Sequence, residues 1–279
     1  MQSEIVVFDL VARTETVLLC HGGHIEAPNW TPDGAALIVN GGGRMFRVPV
    51  NAPALQAIDT GFATRCNNDH GVSPDGRLMV ISDSSAEGSS AIYTLPVEGG
   101  TPQRVTAGTP SYWHGWSPDG MTLTYTADRG AGFQIHTIPV SGGDEFQVTR
   151  DFDHCDGPDY SADGLWIWFN GERDGATDLW RVRPDGSALK KMTDDARMNW
   201  FPHPSPDGNH VLYLAYKPGT RGHPFGKHVE LRLMPQPGGQ TEELITVFGG
   251  QGTLNVPSWA PDSERFAFMR YSLAEPALS

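Results

Sequence analysis

Read for its apolar and polar positions, the chain breaks into short segments instead of long helical periods. Six β-rich runs of five to seven residues recur along it: "ALIVN", "RLMVIS", "TLTYTA", "LWIWFN", "HVLYLAY" and "RFAFMR". Each follows a turn phrase: "TPDG" at Thr31, "SPDG" at Ser73, Ser117 and Ser205, "SADG" at Ser161 and "APDS" at Ala260. Proline second and glycine fourth suit a type I turn, and the aspartate can accept from nearby backbone amides. A turn followed by a short apolar run predicts a hairpin, not a helix.

Spacing turns hairpins into an architecture. The turn aspartates Asp33, Asp75, Asp119, Asp163, Asp207 and Asp262 stand 42, 44, 44, 44 and 55 residues apart. A period in the low forties with several strands per unit is the mark of a propeller blade. Each unit also has a second half: "AIYTLPVEGGTPQRVT", "QIHTIPVSGGDEFQVT" and "DLWRVRPDGSALKKMT" each read as strand, glycine turn, strand. The pattern predicts an all-β, six-bladed β-propeller of four-stranded antiparallel blades, forming one domain over 1–279. The blades fall at about 24–62, 66–108, 110–152, 154–196, 198–249 and 252–271, the last completed by 3–20. "EIVVFDLVARTETVLL" near the N-terminus supplies two strands that "NVPSWAPDSERFAFMRY" near the C-terminus lacks, so pairing them closes the ring without a free sheet edge.

Composition narrows the function. Thirty-three glycines and 22 prolines, spread along the chain, fit many turns and no linker. The net charge of −13 repels polyanions, so nucleic acid is not an expected partner. No apolar run reaches membrane-spanning length, so insertion in a membrane is not expected. "MQSEIVVFDL" goes straight into a strand with no signal peptide, which makes the cytoplasm the expected location, or the periplasm if a leader has been removed. Three cysteines, an odd number, argue against a disulfide framework.

The phrases "PNWTPDG", "HGWSPDG" and "PSWAPD", with "ERDGATDLWRVRPDGSALKKMT", resemble the WD-type propeller repeats of TolB, and the likeness runs through all six units. TolB proteins are exported and carry an N-terminal α/β domain ahead of the propeller, a domain this sequence does not contain. The resemblance implies a propeller that binds at its channel mouth, as TolB binds a peptidoglycan-associated lipoprotein. Similar repeats occur in prolyl-oligopeptidase propellers, tricorn-type proteases and oligogalacturonate lyases.

Propeller geometry puts the six turns on one face and the segments leading into the inner strands on the other. That second face collects His24, His70, His114, His154 and His203, one ahead of each of the first five turns. Converging neutral imidazoles suit a divalent metal, with His70, His114 and His203 the candidates. They suit a metal-free small-ligand or peptide site better, and His70 and His114 share strand parity with Trp30, Trp116 and Trp259, which also fits packing between blades. The long fifth interval places an insertion, "YKPGTRGHPFGKHVE", on the same face. It brings Arg221, His223 and His228, and Trp113 and Trp200 enter the same region as either stacking platforms or blade packing.

Three readings follow. One is a non-enzymatic module that binds a protein, peptide or small ligand at the mouth. Another is a metal-dependent carbohydrate-active enzyme resembling oligogalacturonate lyase. The third is a structural propeller within a larger assembly.

Overall fold

The computed structural model describes residues 1–236 and 239–273. It is a six-bladed β-propeller. Blade 1 runs from its inner strand outward as Glu26–Trp30, Ala36–Gly41, Arg44–Pro49 and Gln56–Ile58. Blades 2 to 5 repeat this order, with inner strands Cys66–Val72, Ser111–Trp116, His154–Tyr160 and Met198–Pro204. The end pairing expected from sequence is present: Gln2–Asp9 lies between Arg265–Ser272 and Thr14–His21, in register from Gln2 opposite Ser272 to Asp9 opposite Arg265. Blade 6 differs at its innermost position. There the chain makes only an isolated bridge, Trp259 to Phe266, in place of a regular strand.

Each turn phrase is a local hydrogen-bond device. In blade 3 the Ser117 hydroxyl donates to Asp119 Oδ1 at 2.6 Å and accepts from Thr122 N at 2.9 Å. Asp119 Oδ1 also accepts from Met121 N at 3.0 Å, and Gly120 N donates to Ser117 O at 2.8 Å. Gly120 has φ +71°, a conformation that costs glycine little. Blades 1, 2, 4 and 5 repeat the Ser/Thr–Asp bond at 2.5–2.6 Å. Blade 6 has Ala260 instead, and Arg265 holds Asp262 there.

Six apolar clusters fill the six wedges between blades. Met198, Leu212 and Leu231 of blade 5 meet Val6, Phe8 and Phe268 of blade 6, and Val80 and Ile92 of blade 2 meet Trp113, Leu123 and Tyr125 of blade 3. The other four wedges repeat the arrangement around the ring. Burial of this kind contributes about 25 cal/mol per Å² of apolar surface. It is therefore the contact between blades, as much as the pairing within them, that holds the ring together.

Candidate binding site at the channel mouth

The inner strands of blades 1 to 5 pair irregularly with their neighbours. In blades 1, 4 and 5 their pairing breaks at a bulge, between Glu26 and Asn29, Asp156 and Asp159, and Trp200 and His203. Within each bulge one residue has positive φ: Ala27 (+56°), Gly157 (+58°) and Phe201 (+55°). A bulge of this type re-aims the neighbouring side chains, which is why such features gather beside functional sites. Gly157 is required, because a Cβ there would lie 2.7 Å from Phe201 Cδ1 and 2.9 Å from Asn170 Oδ1. Phe201 is held in its strained backbone by Asn170, whose Oδ1 accepts from Phe201 N at 3.0 Å.

The irregular lead-in to blade 6 closes the channel. Gly252 O accepts from Ala27 N at 2.8 Å, Leu254 O faces His203 Nε2 at 3.3 Å, and Asn255 O faces His114 Nδ1 at 3.2 Å. Blade 3 lies opposite blade 6, so the His114–Asn255 contact spans the axis. The mouth becomes a blind cup of about 280 Å³.

Asp156 is the electrostatic centre of this cup. Its Oδ1 is 3.0 Å from His114 Nε2, and its Oδ2 is 3.4 Å from His223 Nε2 and 3.9 Å from His154 Nε2. Both ring nitrogens of His114 therefore face acceptors, a carbonyl and a carboxylate, which calls for the imidazolium form. Burial works against that charge, but Asp156 and Asp69 outweigh it and push His114 up to about 9. Burial likewise pushes Asp156 up, yet His114 beside it leaves its carboxyl well below the usual range. Asp69 lies farther off, 3.9 Å from His114 Nε2, and burial carries it up to about 6. His154 is depressed by burial and raised on balance by Asp156. The rings of Tyr112, Phe133 and Phe201 complete the wall, with Phe201 stacked 5.9 Å from His114 at 21°.

Of the residues singled out from sequence, His114, His154 and His223 converge in the cup. The insertion delivers His223 because its loop is pinned at both sides: Tyr216 Oη donates to Pro224 O at 3.2 Å, and Gly226 N donates to Gly249 O at 2.7 Å. Trp200 is buried behind the rim, 4.6 Å from His223, and Arg221 lines an adjoining shallow recess. His24 sits beside the cup, 3.1 Å from Glu26 and packed on Phe225 and Tyr271. His228 is exposed against Phe248, away from the cup.

Three further expected mouth residues belong elsewhere. Trp113 is fully buried between blades, over Gly71, where an added Cβ would lie 2.2 Å from its ring. His70 is buried with Nε2 facing Ile38 O at 3.3 Å, and burial lowers it to about 4, so it packs as a neutral ring. His203 lies beneath the cup, its Nδ1 3.2 Å from Asp159 Oδ2. His70, His114 and His203 each face a different backbone carbonyl. Among the described residues no group of three or more His, Cys, Asp or Glu is placed to hold a metal ion.

Asp69 and Asp156 stand in the same lead-in segments as the histidines, so the sequence places these carboxylates on the same face. Phe201 and Asn255 carried no signal, because their roles depend on a non-glycine residue in a left-handed conformation and on an irregular segment crossing the axis.

No family model matches the chain. An uncharacterized protein of Agrobacterium fabrum is 47% identical over 272 residues, covering 97% of this chain and 93% of that protein. A solved structure from Agrobacterium tumefaciens assigned to TolB superposes with a TM-score of 0.96 at 46% identity, covering 98% of this chain and 99% of that one. TolB from Acinetobacter baumannii shares the fold with a TM-score of 0.66 at 20% identity, covering 87% of this chain and 65% of that one. An oligogalacturonate lyase in complex with manganese shares the fold alone, with a TM-score of 0.55 at 12% identity over 88% of this chain and 67% of that one. With its repeats, its closed ring and these relatives together, the chain belongs to the family of TolB-like six-bladed β-propellers.

Proposed function

We propose that this propeller is a binding module whose mouth cup takes a small polar ligand or the polar end of an inserted peptide. One observation carries the reading. Thr126 Oγ1, His154 Nε2 and His223 Nδ1 are buried polar atoms of cup-lining residues with no hydrogen-bond partner in the protein. Leaving such groups unpaired costs about 1–3 kcal/mol each, a cost that a ligand with its own donors and acceptors offsets. Aromatic walls and a few convergent polar groups are the usual make-up of a small-molecule site, and a volume near 280 Å³ sets the ligand at a single sugar ring or a residue or two of peptide. The lyase reading has less support, because its candidate ligands His70, His114 and His203 form no common set.

A thermal-shift panel of monosaccharides, amino acids and dipeptides tests the proposal on the wild type, Thr126→Val and His223→Ala. A stabilising compound whose effect disappears in both variants supports it. Compounds that stabilise the variants and the wild type equally would place binding elsewhere.

A further inference from the structure

The opposite end of the channel holds a second cup of about 330 Å³, built by the turn face and unconnected with the function proposed above. The third residue before each turn aspartate lines it, giving Trp30, Trp116, Tyr160 and Trp259 from four blades and Val72 and Pro204 from the other two, and the prolines of the turns form its rim. Its inner end is Asp159, shared with His203, so the layer that floors the mouth also floors this cup. From sequence, Trp30, Trp116 and Trp259 fit packing between blades. They are more than nine-tenths buried, yet they also line an open cavity.

Charge selects the occupant. Five of the six turn aspartates stand next to a rim proline, and Asp163 stands next to Ala162, on a chain of net charge −13. Asp262 is paired with Arg265 and Asp75 lies 3.8 Å from Arg77. Among the described residues Asp33, Asp119, Asp163 and Asp207 form no ion pair. The hydroxyls of Thr31, Ser117 and Ser161 hold Asp33, Asp119 and Asp163 below the ordinary carboxylate range. Indole and phenol faces attract cations, and Trp30 already takes one in the Arg265 guanidinium, 5.6 Å from its ring, from a side chain that does not line the cup.

We propose that the turn-face cup binds an alkylammonium cation, with its methyl groups against Trp30, Trp116, Tyr160 and Trp259 and its charge under the field of the turn aspartates. Choline and its uncharged isostere 3,3-dimethylbutan-1-ol have the same shape, so calorimetric titration of both isolates the charge. Choline is expected to bind at least about tenfold more tightly, the equivalent of one desolvated cation–π contact. Pro118→Lys places a cation on the exposed rim without touching the core and should weaken choline binding by a similar factor. Trp116→Leu should abolish it, with thermal melting used to check that this variant folds. An acetylated trimethyllysine amide, titrated alongside, tells a side-chain source from a free molecule, and tighter binding of either supports the cation. Equal binding of choline and the alcohol, or choline binding unchanged by Pro118→Lys, would overturn the proposal. Thr126→Val and His223→Ala at the mouth should leave choline binding intact, so the two cups fail or stand separately.

Discussion

Phe201 carries the sharpest conflict between local preference and position. A bulky side chain at φ +55° is disfavoured, and here the ring is buried against His114, Trp200 and His223. Truncating it should cost about 3–5 kcal/mol for the lost packing. Glycine, normally worse than alanine within a strand, should here equal or exceed it, because glycine accepts the left-handed backbone at no steric cost. Urea unfolding of Phe201→Ala and Phe201→Gly checks the order. An alanine variant clearly more stable than the glycine variant would show that the backbone is not strained as described. At this scale the sequence was partly legible. The histidines could be assigned to one face from their distance to a turn, but that distance could not separate His114, which reaches the cup, from His70 at the same offset. What separates them is the environment each meets: Asp156 beside His114, and only backbone carbonyls around His70.

Among the elements, the turn was the most readable. Its hydrogen bonds join residues two to five apart in the chain, so composition alone specifies them. Replacing Ser117 by alanine removes the hydroxyl that ties Asp119 to Thr122 N and should lower stability by about 1 kcal/mol, read as a shifted denaturation midpoint. A neutral result would mean that Asp119, through Met121 N, holds the turn by itself. The inner-strand bulges and the lead-in to blade 6 were not readable. Both rest on contacts between blades, such as Ala27 N with Gly252 O, which no local pattern announces. The insertion was legible as extra length after Tyr216. Its effect, setting His223 on Asp156, depends on anchors at Pro224 and Gly249 that only the folded ring supplies.

For the whole molecule, the repeat period and the complementary ends were enough to give a closed ring of six, because every blade must bury both faces against neighbours. The channel's closure at mid-depth was not foreseen, and it has consequences for stability. His114 keeps its proton in the folded state up to about pH 9, whereas an unfolded histidine loses it near 6.5. Over that interval the folded state binds more protons than the unfolded one, so stability falls as pH rises, by up to about 2 kcal/mol between pH 6.5 and 8.5. His114→Gln should flatten much of this slope in urea unfolding at the two pH values, leaving the smaller share due to His154. An unchanged slope would assign the dependence to other groups.

The decisive observation is the protonation of His114 itself, since an imidazolium spanning from Asp156 to Asn255 organises the mouth. Histidine-labelled protein titrated by nitrogen-15 NMR should show this ring protonated through pH 8, with a midpoint near 9 that drops in Asp156→Asn. A midpoint at or below 6.5 in the wild type would contradict the account.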